Sequence, residues 1–305
     1  MQKVPFLHTG KILNMQNPYG AIIRPMPVGA PVYDDIFTGT EQPINWKEYL
    51  PPRERQYNTP FCVTFSCLNC QEAVARKEGI ELNLSDRYLG VISKTTKQGN
   101  DLHTVAEMFR TQGVVKETDC PWRDNWLTDL KYWNNVFDLS DVPQDSKKYK
   151  GGDHSFILDK KLVPRALHYS PIQLAVGIGS NWETETVIKN PAKIIAYHAV
   201  TCYDINEEGY FFQDSIGKEF KQLSPDYRIE AAKSFRLLPS NWRETQMKIV
   251  KTSDSDKLYI LQGSKAIHVF SMATLEVLGL LDLPIEIISA DDLKKYQQET
   301  IGLLK

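Results

Sequence analysis

Hydrophobic and polar positions divide this chain into a polar arm, a helical first half, a β-rich second half and a short alternating tail. Residues 60 to 78 contain no Pro or Gly after Pro60, and Phe61, Phe65, Leu68 and Val74, with Cys67 and Cys70, cover much of the helical circumference. That is the pattern of a helix buried on most sides. Asn58 or Thr59 is placed to cap it, Pro60 suits its first position and Gly79 stops it. A second helix is predicted from Leu84-Ser85-Asp86 with Ser85 near its cap, and a third over 102–112, apolar at Leu102, Val105, Ala106, Met108 and Phe109 and ended by Gly113.

The period then changes from helical to alternating. Residues 163–176 read as a short helix running into a strand with Ile172, Leu174 and Val176 on one face, and 194–203 form a continuous β-prone run suited to a buried strand. Gly209 opens the next strand. Beyond about residue 240 come short strands at 248–250, 258–261 and 266–270, with Gln262-Gly263-Ser264 as a hairpin turn, then a terminal helix over 290–304. The pattern predicts an α+β body. Its expected organisation is an extended N-terminal arm (1–43), a main domain (44–240) and a small β-rich C-terminal domain (241–305), of a size that favours docking on the main body, with a separate docking partner as the alternative.

Composition narrows the function. The 36 Lys and Arg nearly balance the 38 Asp and Glu, and no basic cluster is interleaved with aromatics, so a nucleic-acid partner is disfavoured. The N-terminus lacks the apolar core of a secretory signal and no apolar run is long enough for a membrane span, so the expectation is a soluble chain, cytoplasmic as synthesised, with a virion or other particle as the alternative. Five cysteines leave at least one thiol outside any intramolecular disulfide. Cys67 and Cys70 are read as packing residues, because no second pair completes a zinc site. The polar segment 123–155 reads as an insertion loop, which would leave His154 solvated.

Cys62 has the context of a nucleophile. In the first turn of a helix, unpaired N–H groups and the positive end of the dipole favour thiolate over thiol. His198, alone in an apolar strand, is more often a satisfied core residue; it lies 136 residues after Cys62.

Several blocks then resemble the papain-like cysteine peptidases over about residues 44–220. Gln56 followed by Cys62-Val63-Thr64-Phe65-Ser66 is similar to the family's Gln and Cys-Trp-Ala-Phe-Ser. Ile44-Asn45-Trp46-Lys47 resembles Val-Asp-Trp-Arg, and Gly113-Val114-Val115-Lys116-Glu117 resembles Gly-Ile-x-x-Glu. His198-Ala199-Val200 matches His-Ala-Val, and Gln213-Asp214-Ser215-Ile216-Gly217 is similar to Lys-Asn-Ser-Trp-Gly. The resemblance implies a two-lobed fold, a helical lobe against an antiparallel β-barrel-like lobe, and hydrolysis of a peptide or protein substrate without a cofactor. It implies Cys62 as nucleophile, His198 as acid and base, Asp214 orienting the imidazole, and Gln56 with the Cys62 N–H binding the oxyanion. Gly99, Asn100, Pro171, Ala196 and Tyr197 would border the substrate. The chain departs from the family at Thr59 (a cysteine there), Val63 and Ile216 (tryptophans), Asn100 (glycine) and Asp214 (asparagine). The two missing tryptophans, the single glycine at Gly99 and the appended β-rich domain favour, as an alternative, a papain-like binding or structural protein that has lost catalysis; a third reading keeps the thiol chemistry and gives the acyl group to an amine. The family's pro-segment is longer and helical, so the arm is expected to act as a structural strap rather than an inhibitor, with a path across the cleft left open. The C-terminal domain resembles small modules appended to bacterial envelope proteins.

Overall fold

The computed structural model describes residues 19–33, 42–57, 59–122, 137–236, 248–262, 265–269, 285–295 and 297–300. The chain divides into two compact units, Met1–Arg76 with Leu82–Leu238, and Lys77–Glu81 with Pro239–Lys305.

The first unit holds three principal helices: α1 (Cys62–Lys77), α2 (Asp86–Ile92) and α3 (Leu102–Gln112). Local signals set their ends. Ser85 caps α2 by accepting from the Tyr88 N–H, Asp101 caps α3 by accepting from His103 and Thr104, and Gly113, at φ 75°, closes α3 in a backbone region costly for other residues. A one-turn helix, α4 (Val163–Ala166), then leads into the sheet.

That sheet has seven strands: β1 (His154–Phe156), β2 (Ile172–Ile178), β3 (Val187–Ile188), β4 (Ala196–Asn206), β5 (Gly209–Gln213), β6 (Phe220–Leu223) and β7 (Ile229–Phe235), in the order β1-β7-β2-β4-β5-β6-β3. All neighbours are antiparallel except β3 with β6. Every residue of β2 is buried, as its apolar run demands. One core joins Ile172, Leu174, Val176, Val200, Phe212, Trp182 and Tyr227 to Trp46, whose indole N–H donates to the Leu167 carbonyl. The helical layer is tied to the sheet by the buried Gln173 amide, which donates to the Val63 carbonyl at 2.8 Å and the Ser66 hydroxyl at 2.9 Å. This bond fixes the height of α1 over β2 and β4, and with it the position of Cys62.

His154 departs from expectation. It lies in β1, 2% exposed, and bridges Lys233 Nζ (2.8 Å from Nδ1) to Glu107 Oε2 (3.1 Å from Nε2). Burial and the Lys233 charge push its pKa down to about 3, so the ring is neutral, accepting at Nδ1 and donating at Nε2. A polar stretch of sequence hid it because its partners lie on α3 and β7, far along the chain.

The second unit carries a five-stranded sheet of β8 (Lys248–Thr252), β9 (Leu258–Gln262), β10 (Lys265–Val269), β11 (Ile285–Ile288) and β12 (Gln297–Thr300), ordered β11-β8-β9-β10-β12. β9 and β10 form the expected hairpin, with Gln262 opposite Lys265; its turn residues Gly263 and Ser264 lie outside the described residues. The terminal helix is shorter than its sequence pattern. It stops as α5 (Ala290–Lys294), and Gln297–Thr300 pairs parallel to β10 instead. An open strand edge offers each backbone group a partner, and that tertiary gain overrides local helix preference.

Candidate active site

α1 starts two residues later than the cap signals suggest. The Phe61 carbonyl accepts from the Phe65 N–H at 3.2 Å, so Cys62 is the first helical residue. The Thr59 hydroxyl, one expected cap, donates to the Gln56 carbonyl at 2.6 Å; Asn58, the other, lies outside the described residues. As first residue, Cys62 has an N–H with no acceptor inside its own helix. Gln56 is fully buried and held from both ends: its Oε1 accepts from the Ser215 hydroxyl at 2.6 Å and its Nε2 donates to the Thr59 carbonyl at 2.5 Å. Its amide nitrogen therefore faces the turn that leads into Cys62.

The strands bring the other groups. His198, on an inward position of β4, has Nε2 2.7 Å from Asp214 Oδ1. Its Nδ1 makes no hydrogen bond, and the nearby Cys62 acts on the ring by charge, so Nδ1 is the nitrogen left to face sulfur. Cys62, His198 and Asp214 are each at most 1% exposed. Burial lowers the His198 pKa, but Asp214 and Cys62 together outweigh it and lift it to about 9. Burial also acts to raise the pKa of Asp214, and His198 with Lys221 overcomes this and holds the carboxyl below its ordinary range.

Asp214 has a donor for each lone pair. Oδ1 accepts from His198 Nε2 and from the Ile216 N–H at 3.0 Å; Oδ2 accepts from Trp182 Nε1 at 2.9 Å and Lys221 Nζ at 2.8 Å. Trp182 stands edge-on to the His198 ring at 5.5 Å and stacks on Phe212 at 5.4 Å. It supplies the aromatic wall missing at Ile216. Neither Trp182 nor Lys221 was picked out from sequence; the signal for both was the carboxylate at 214, since a buried charge requires donors and a counter-charge. Among the described residues no group of three or more His, Cys, Asp or Glu could hold a metal ion, and no helix is long and apolar enough to cross a membrane. All five cysteines are free and buried.

No protein-family model matches the sequence, and a search of curated proteins returns no match. Solved structures do match. They include xylellain, a cysteine protease from Xylella fastidiosa (TM-score 0.57, 13% identity, covering 76% of this chain and 100% of that one) and proCathepsin B S9 from Trypanosoma congolense (0.57, 11%, 73% and 87%). The cysteine protease and lectin-like domains of Cwp84, a surface layer associated protein of Clostridium difficile, match at TM-score 0.55 with 15% identity, over 81% of this chain and 61% of that one. The fold is papain-like.

In this papain-like frame the arm lies over the catalytic candidates. Tyr19 stands edge-on to the His198 ring at 5.1 Å and donates to Glu183 at 2.6 Å. The Asn100 N–H donates to the Gly20 carbonyl at 2.9 Å, the Ile22 N–H to the Asn100 carbonyl at 2.8 Å and the Ala21 N–H to the Tyr197 carbonyl at 3.2 Å. Two glycines make this approach feasible. A Cβ on Gly99, which has φ +97°, would fall 1.6 Å from the Gly20 carbonyl oxygen, and one on Gly20 would fall 2.3 Å from Pro60 Cβ. Farther along, Val32 bridges to Phe156 and Tyr33 is fully buried. The arm is thus both a strap on the core and a cover on the site.

The substrate-binding expectations divide accordingly. Asn100 and Tyr197 present backbone groups to the arm, Gly99 permits its approach, and Ala196 lies beside Tyr197 at the start of β4. The Asn100 side chain turns away, donating to the Ser93 carbonyl at 2.9 Å. Pro171 is a correction: β2 and β4 run antiparallel with Ile172 opposite Cys202 and Ile178 opposite Ala196, so Pro171 sits at the other end of the ladder. Seven strand residues at about 3.3 Å each separate it from this group.

The His198 environment makes a linkage prediction. Its pKa is raised in the folded state, so the stabilisation is fully present below pH 6.5 and is lost as pH rises through about 9. In urea unfolding followed by tryptophan fluorescence, the stability advantage of the wild type over His198→Gln should shrink across that interval. A constant advantage contradicts the assignment.

Proposed function

We propose that this chain is a cysteine peptidase held latent by its own N-terminal arm. The observation that carries the reading is the Cys62 thiol at the head of α1 coupled to a His198 ring that Asp214 fixes through Nε2. The Cys62 thiolate attacks a peptide carbonyl carbon, and the electron pair of the C=O bond moves to oxygen. In this reading the Cys62 N–H and the Gln56 amide receive that oxyanion. As the intermediate collapses, the imidazolium of His198 gives its proton to the leaving amine and an acyl thioester remains. His198, now neutral, takes a proton from water. The resulting hydroxide adds to the thioester, and the acid product leaves with the thiolate restored.

The arm explains the burial of this apparatus. It already occupies backbone groups of Asn100 and Tyr197, two residues that the resemblance sets beside the substrate, and Tyr19 covers the His198 ring. A substrate must displace it. The match to cysteine proteases supports the chemistry at the level of fold.

A fluorogenic peptide assay tests this. Hydrolysis should vanish in Cys62→Ala and fall by about 10²–10⁴ in His198→Ala, a larger loss than in Asp214→Ala. Equal losses from unrelated surface substitutions contradict the reading, as does a transamidated product outgrowing the hydrolysed one when a primary amine is added.

The arm makes its own prediction. Tyr19→Ala combined with Ile22→Pro removes the ring cover and one backbone donor, and should raise the rate of peptide turnover by the intact chain several-fold. An unchanged rate would mean the arm does not limit access.

A further inference from the structure

We propose that Lys221 offsets much of the Asp214 charge, so that the carboxylate orients the His198 imidazole while holding its proton less tightly than an unpaired carboxylate would. The inference rests on the reading of Cys62 and His198 as the reactive pair, and it makes Lys221 a positioning residue that acts through Asp214.

The geometry carries it. β6 alternates outward and inward from Phe220, which directs Lys221 into the sheet interior, where it is 2% exposed. Its Nζ lies 2.8 Å from Asp214 Oδ2, 2.8 Å from the Trp182 carbonyl and 3.3 Å from the Ile216 carbonyl. All three partners are acceptors. A lysine ammonium has three donors and no acceptor, so this is the hydrogen-bond set of the charged form. The Trp182 ring, 4.9 Å from Nζ, adds an attraction that only a cation feels. Lys221 and His198 therefore bind opposite oxygens of one carboxylate.

The consequence follows from charge. A lone buried carboxylate beside an imidazole raises its proton affinity by about one to three pKa units. A general acid that must release its proton to a leaving amine works best when its affinity lies near the operating pH. An ammonium on the far oxygen offsets much of that attraction and leaves the hydrogen bond that holds the ring. The position is an asparagine in the family this chain resembles, and the Asp214–Lys221 pair supplies the same neutrality from two residues.

The other charged or titratable groups around the ring lie elsewhere. Cys62 faces it from α1 and Tyr19 from the arm, with Glu183 behind the phenol. Arg53 donates to the Asp214 carbonyl at 2.8 Å, and the Glu219 carbonyl accepts from the Asp214 N–H at 2.7 Å. Of these, none is hydrogen-bonded to the Asp214 carboxylate oxygens. Lys221 is the cation that is.

The test is an NMR titration of the full chain carrying ¹³C-labelled histidine, with the His198 signal assigned by its loss in His198→Gln. Lys221→Met should raise the His198 midpoint by about one unit or more, Asp214→Asn should lower it by a similar amount, and the double variant should fall between the two. Lys221→Arg should stay near the wild type. A Lys221→Met midpoint equal to the wild type, with the double variant equal to Asp214→Asn, would falsify the proposal. Each single variant strands a buried charge; if one fails to fold, the double variant decides alone. A double-variant midpoint within about half a unit of the wild type supports neutralisation, and a larger fall overturns it. The alkaline limb of peptide hydrolysis should move with these midpoints. If the titrations behave as stated while the wild type hydrolyses nothing, the electrostatic inference stands and the peptidase reading falls.

Discussion

One buried carboxylate organises this molecule's chemistry. Asp214 is 1% exposed, and removing an ion of its size from water costs several kcal/mol unless its lone pairs are filled. Its donors come from β4 (His198), its own turn (Ile216), the β2–β3 connection (Trp182) and β6 (Lys221). The same four bonds that make its burial tolerable fix the imidazole and leave Nδ1 for sulfur. The bonds that stabilise the buried charge and those that orient the ring are the same, and they add a side-chain tie between strands already paired in the sheet.

A second constraint acts on backbone. Asn100 and Tyr197 carry peptide groups at the rim of the site that need partners, as such groups do wherever they leave water. Residues 20–22 of the arm provide them in this structure. An extended peptide offers the same N–H and C=O groups, so under the proposed function arm and substrate would compete by chemistry common to every peptide. Gly20 and Gly99 let the two backbones meet without side chains between them. The arm's far end, anchored through Tyr33 and Val32, keeps the competitor tethered nearby.

What could be read from the sequence follows the range of each interaction. Helix α3 was legible to the residue, because Asp101 and Gly113 act within a turn of its ends. β2 and β4 were legible from apolar runs. Cys62, His198 and Asp214 were legible as candidates from their local motifs, and the structure brings them together. Trp182 and Lys221 were not, since each acts on a residue distant in sequence and belongs to an unremarkable polar segment. His154 failed for the same reason, its polar surroundings in sequence concealing Lys233 and Glu107 in space. Pro171 failed because strand register, which no residue type encodes, sends it to the far end of the ladder. The final helix was cut short by pairing with β10, a tertiary gain invisible to local propensity.

The most direct measurement maps, by peptide mass spectrometry, where an electrophilic epoxysuccinyl probe attaches to the folded full chain whose arm has been loosened by Tyr19→Ala and Ile22→Pro. The five cysteines are all free and buried, so burial alone predicts no difference among them. If His198 activates one sulfur, a single adduct forms on Cys62 and disappears in His198→Ala. No adduct on a folded sample, or adducts spread evenly over the five thiols, would contradict the account.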